Sequence, residues 1–309
     1  MYRYPILPVT LASSALALAF AAFDDLSASR VERATVVRAG VRPAATTVEY
    51  GASADVGEGR ARAYVVTDTK TGAPIEVGVA LDERAMDGLP VPKAHAGHQA
   101  APDGHEHLDN HVYLLSLPGR GAAPFQFVEL DWNPGGHEPP GVYDVPHFDF
   151  HFWMASRDER AAIVPSDPRY QQLADALPAE AQRPPHFVVA APPGAPAPGV
   201  PLMGVHWTDV RSPELQKVFG KPDAYRPFTT TFLYGSWNGR FTFLEPMITR
   251  AYIMAKKSAA DPAVRDEVIP ISAPARVGAP GYYPSAYRIA YDAKSKEYRI
   301  ALTKLAWRE

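Results

Sequence analysis

His147-Phe-Asp-Phe-His-Phe-Trp153 (HFDFHFW) alternates polar and aromatic residues without a break. In a β-strand, residues at i, i+2 and i+4 share one face. The stretch therefore predicts a strand that turns His147, Asp149 and His151 one way and Phe148, Phe150 and Phe152 the other. A one-residue slip would exchange the two faces, so burial of the phenylalanines fixes where the polar row points.

The neighbouring sequence extends this reading. From Thr46 onward, short β-like runs (TTVEY, ARAYVVT, IEVGVAL, HVYLLSL, FQFVELD, HFVVAA, TTTFLYG, RFTFLEP) alternate with turn residues. Such spacing is that of an antiparallel sheet. Three hairpins are written into it, through TDTKTGAP, through GSWNG, where Asn238-Gly239 supplies the positive φ angles of a tight turn, and through AKSK near the C-terminus. Helical signals are few. Asp167-Pro168 opens a short helix with Tyr170, Leu173, Ala174 and Leu177 on one face, and Ser212 to Gly220 frames a second. The expected fold is mainly β: a single antiparallel sheet or barrel-like domain over residues 46–309, with a few short peripheral helices.

Bulk composition excludes several functions. The 309 residues are 46% hydrophobic, enough for a packed core, and 31 basic against 34 acidic residues leave a net charge of −3 with no basic run. No nucleic-acid surface is implied. Cysteine is absent, which removes disulfides, thiolate metal sites and cysteine nucleophiles, so any metal must use nitrogen and oxygen ligands. At the N-terminus, Arg3 precedes an apolar run that ends in small residues at Ala19, Ala21 and Ala22. This reads as a signal peptide over residues 1–22, with an uncleaved membrane anchor as its alternative, followed by a linker over 23–45. The expected location is periplasmic or extracellular, with no stable membrane association after cleavage.

Eight of the ten histidines lie between His95 and His151. Imidazole and carboxylate are donors for zinc, copper, manganese or iron, with zinc the first expectation. At ~3.3 Å per residue, His147 and His151 stand about 13 Å apart along a strand and i, i+2 neighbours about 6.6 Å. One ion therefore takes Asp149 with one of the two histidines and completes its shell from other strands. The candidate metal ligands are His147, Asp149, His151 and His206, with His107 and His111 rated above the other loop histidines because a strand follows them. Glu245, on the same face as Phe241 and Phe243, is the candidate catalytic base for hydrolase or lyase chemistry on a small molecule. The alternative is a non-catalytic protein, structural or metal-sequestering and able to form a homo-oligomer, with the polar row hydrogen-bonded and metal-free. HEHLD and HEPPG are not HExxH, GSWNG is not a nucleophile elbow, and no phosphate-binding glycine loop occurs.

Several blocks, among them GRARAYVVTDTKTGAPIEVGVALDERAMDGLP, GHEHLDNH, LDWNPGGHEPPGVYDVPHFDFHFW, GVHWTD, FLYGSWNGRFTFLEPMITRAY and GYYPSAYRIAYD, resemble the uncharacterised TTHB210-like (DUF5602) proteins. The resemblance spans most of the chain after Gly51. It implies that the histidine-bearing blocks belong to one architecture, and it carries no activity to transfer.

Overall fold

The computed structural model describes residues 45–92, 110–119, 122–191 and 194–309. The elements run β1 (Thr46–Val56), β2 (Gly59–Asp68), β3 (Pro74–Asp82), β4 (His111–Ser116), β5 (Phe127–Asn133), β6 (His147–Trp153), α1 (Arg157–Ala161) and α2 (Tyr170–Asp175). They continue with β7 (Phe187–Val189), β8 (Val205–Asp209), β9 (Thr230–Trp237), β10 (Arg240–Thr249), α3 (Arg250–Ser258), α4 (Pro262–Arg265) and β11 (Asp266–Pro270). The chain closes with β12 (Gly281–Tyr283), β13 (Ala286–Asp292), β14 (Glu297–Thr303) and β15 (Ala306–Arg308).

Six strands form one sheet in the order β1-β2-β3-β14-β13-β11, and seven form a second in the order β4-β5-β6-β10-β9-β8-β7; β12 and β15 pair separately. The pairings are antiparallel, the fold is mainly β as expected, and no barrel closes. The two large sheets share one core. Val77, Val79, Leu81, Ile289, Ile300 and Leu302 enter it from the first, and Val128, Leu130, Phe148, Phe150, Phe152, Leu244 and Ile248 from the second. The three phenylalanines of β6 are fully buried, and each such burial stabilises the fold by roughly 1.5–3 kcal/mol.

The three hairpins form where the turn chemistry places them. Asn238 (φ 48°) and Gly239 (φ 79°) link β9 to β10, and Lys296 (φ 55°) lies in the β13–β14 turn. The helices depart more from expectation. Asp167 spends its carboxylate on the backbone N–H of Arg169, so α2 starts only at Tyr170. The Ser212–Gly220 segment keeps only a 3-10 turn at Pro213–Leu215. The nine-residue α3, capped by the Thr249 hydroxyl accepting from the Tyr252 N–H, was not foreseen. It buries only Ile253 and Lys256, too narrow a stripe to read as a helical period. The expected signal segment and nearly all of the linker lie outside the described residues. Among those described, no helix is long and apolar enough to cross a membrane.

Candidate metal centre

The face of the seven-stranded sheet that points away from the shared core carries the polar row. Strand pairing sets Glu129 opposite His151, Asp131 opposite Asp149 and Asn133 opposite His147. On the other side of β6, Met247 lies opposite Asp149 and Thr249 opposite His147, a register that brings Glu245 beside His151. The row is buried, with His147, Asp149 and His151 at most 4% exposed. A second layer roofs it: Val142, Tyr143, Leu215 and Phe228 pack on Met247 of β10 at one end, and Ala155 and Ile163 pack on Phe127, Trp153 and Phe243 of the sheet at the other. A cleft of about 130 Å³ bordered by Tyr234, Arg240, Phe241 and Arg308 touches none of these polar residues.

Two triads emerge. In the first, Asp149 Oδ1 stands 3.2 Å from His147 Nε2 and Oδ2 stands 3.3 Å from His137 Nε2, while Asn133 Nδ2 donates to Oδ2 at 2.7 Å. The other ring nitrogens face backbone carbonyls, His147 Nδ1 the oxygen of Val145 at 2.7 Å and His137 Nδ1 the oxygen of Glu138 at 2.8 Å. A carbonyl oxygen only accepts, so both Nδ1 atoms carry their protons there. A neutral ring then turns its Nε2 lone pair toward a carboxylate oxygen, acceptor against acceptor. Only a proton or a cation between them relieves that contact. A backbone carbonyl that fixes the tautomer of a ligating histidine is a usual support for a metal ligand.

In the second triad, Glu245 Oε1 lies 3.3 Å from His151 Nε2 and Oε2 lies 3.6 Å from His206 Nε2. His206 reaches across Gly235, its cross-strand partner on β9. Gly235 also faces Phe243, and a Cβ there would stand 2.0 Å from the Phe243 ring. Only glycine lets that ring lie against β9 and pack edge-on to His151 and His206 at 4.9 and 5.4 Å.

Donor atoms within each triad lie within 4.8 Å of one another, so each group could hold a metal ion. Two ligands about 2.1 Å from a tetrahedral ion stand roughly 3.4 Å apart. The four histidine–carboxylate separations of 3.2 to 3.6 Å bracket that value. Each triad keeps one histidine partly open, with 31% of the His137 side chain and 20% of the His206 side chain exposed, so an ion has a route in.

Electrostatics points the same way. Glu129, Asp131, Asp149 and Glu245 are at most 4% exposed. Arg160 forks Glu129 through Nε and Nη2, and among the described residues no lysine or arginine pairs with the other three. Buried carboxylates are normally paired or bound to metal. Burial lowers His151 to about 3 and His206 to about 4, and it drives Asp131 and Glu245 well above the carboxylate range, helped by neighbouring carboxylates. Burial alone would lower His137, but the hydrogen bond and charge of Asp149 leave it raised. Burial likewise opposes the charged form of Asp149, yet His147 and His137 hold it well below its usual range.

These shifts set a pH dependence for metal-free protein. Below about 6.5, the ordinary histidine value, the depressed histidines and the raised carboxyls act in opposite directions. Above it the unfolded histidines are already neutral and that contribution is gone. Asp131, Glu245 and His137 are raised and so bind protons more tightly in the folded chain than in the unfolded one, and the stability they contribute is lost as pH rises through their folded values. Thermal melts in chelator should show Tm falling from pH 6.5 to 8.5. A flat or rising profile would contradict the assignment.

The structure divides the sequence candidates between the two triads. His147 and Asp149 meet each other, but Asp149 is not with His151 and His206. Glu245 joins those two as a third ligand candidate, with both oxygens engaged by histidines, and does not stand apart as a base. His111 pairs with Trp132 on β5, which puts it on the core-facing side of the sheet, away from both triads. His107 lies outside the described residues. Glu129, Asp131, Asn133 and His137 were missed. The first three alternate in FVELDWN with the period of HFDFHFW, a signal that was present. His137 sits in the loop NPGGHEPPG, where no periodicity locates a side chain. Compared with known proteins, the chain matches no family model, no curated protein and no solved structure.

Proposed function

We propose that this is a metal-binding protein that takes two divalent transition ions, zinc foremost, one at His137, His147 and Asp149 and one at His151, His206 and Glu245. The observation that carries the reading is the pair of histidines whose Nδ1 atoms are committed to backbone carbonyls while both Nε2 atoms converge on Asp149. Two histidines and one carboxylate suit zinc and also iron, manganese and copper. An ion held by only three side chains keeps a coordination position for water, the arrangement of metal-dependent hydrolases and lyases. The roof over the row restricts access to the margins beside His137 and His206, which fits a small substrate.

The reading includes export, on the strength of Arg3 and the apolar run behind it, and membership of the TTHB210-like family, on the strength of the shared sequence blocks. Metal analysis of untagged protein dialysed against zinc should give two ions per chain. A chain that takes up no zinc, copper, manganese or iron overturns the proposal.

A further inference from the structure

Asp131 is a buried acid that belongs to neither triad and, among the described residues, pairs with no lysine or arginine. It is wholly inaccessible, and among the described residues neither of its oxygens has a hydrogen-bond partner. It lies opposite Asp149 on β5, and its Oδ2 stands 3.8 Å from His151 Nδ1. His151 is thus placed between two carboxylates, Glu245 on its Nε2 side and Asp131 on its Nδ1 side. Unlike His137 and His147, its Nδ1 has no carbonyl to hold its proton, and Asp131 occupies the place that Val145 and Glu138 backbone oxygens fill for the other two.

We propose that Asp131 is the positioning residue of the second triad: it accepts the Nδ1–H of His151, so that Nε2 presents its lone pair to the ion beside Glu245 and His206. The inference rests on the metal-binding reading above. A neutral imidazole has one N–H, and a ring that ligates through Nε2 must carry it on Nδ1. The carboxylate oxygen beside that atom is Asp131 Oδ2, 3.8 Å away. The gap of 3.8 Å exceeds a hydrogen bond, and such contacts are often long before the ligand arrives and tighten with it. A residue kept for packing alone would not be a buried carboxyl without partners, because such a group destabilises the fold.

That contrast supplies the test, using full-length protein carrying Asp131→Leu or Asp131→Asn. In chelator, Asp131→Leu should melt at a higher temperature than the parent, since a carboxyl without partners has been replaced by an apolar group of similar size. In zinc titrations the same variant should lose affinity for one of two ions by about 10- to 100-fold, the usual loss when an outer partner of a ligand is removed. Asp131→Asn keeps an acceptor oxygen and should restore that affinity to within a few-fold of the parent. Cobalt substitution gives the independent signature: the absorption of one of two bound ions should change in Asp131→Leu and return in Asp131→Asn.

If the parent binds two ions and Asp131→Leu binds both with parental affinity, the role of Asp131 is overturned while the metal-binding reading stands. The role also falls if Asp131→Asn is as weak as Asp131→Leu, or if Asp131→Leu melts lower than the parent in chelator. A parent that binds no ion overturns both.

Discussion

Asp149→Ala should reduce zinc stoichiometry from two ions to one, with affinity at the first triad falling more than about 100-fold. Loss of an outer-shell partner costs roughly 10- to 100-fold, and Asp149 is more than that, because both of its oxygens face ligand candidates. Oδ1 faces His147 and Oδ2 faces His137. Without the carboxylate, two imidazoles with centroids 4.7 Å apart remain, and among the described residues no other carboxylate pairs with either ring to offset the charge of an ion there. The histidines of the second triad face Glu245 and not Asp149, so that site should still fill. Asp149→Asn separates geometry from charge, since it preserves the shape and one acceptor oxygen; it too should empty the first site. Calorimetric titration with elemental analysis reads the outcome, and a variant that still binds two ions with parental affinity would remove Asp149 from the ligand set.

Arg160→Leu should destabilise the protein by roughly 3–5 kcal/mol, the usual cost of stripping the partner from a buried charge. Set against a typical total stability of about 5–15 kcal/mol, that is a large share. Arg160 comes from α1, which begins with a capping box between Ser156 and Glu159. Its guanidinium grips both oxygens of the inaccessible Glu129, and Trp153 Nε1 donates to the same carboxylate at 2.8 Å. Burial already raises Glu129 despite Arg160. Removing the arginine leaves one indole donor to support a carboxyl in the protein interior. Adding Glu129→Gln to Arg160→Leu should recover part of the loss, because a neutral amide is less costly to bury than an unpaired charge. Urea unfolding provides the measurement; a loss under about 1 kcal/mol would mean that Glu129 is not left as an unpaired buried charge and would contradict the expectation.

HFDFHFW determined by itself that β6 is a strand and that His147, Asp149 and His151 share a face, because side-chain direction along a strand is a local property of period two. The core position of Phe148, Phe150 and Phe152 follows from the same alternation, and the Asn-Gly hairpin follows from the φ angles its residues tolerate. Ligand spacing along β6 also showed that His147 and His151 are too far apart for one ion. What the sequence could not decide was which donors meet. That depends on strand order and register, set by pairing between segments distant in the chain. Placing β10 next to β6 gives Glu245 to His151. The loop after β5 folds His137 onto Asp149 and so completes a triad with His147. The β4 register turns His111 to the opposite face through its pairing with Trp132. Period two fixes a side chain's face from a few neighbouring residues; convergence of three donors within 4.8 Å needs the hydrogen-bonded neighbours of every strand involved, and only the folded sheet supplies them.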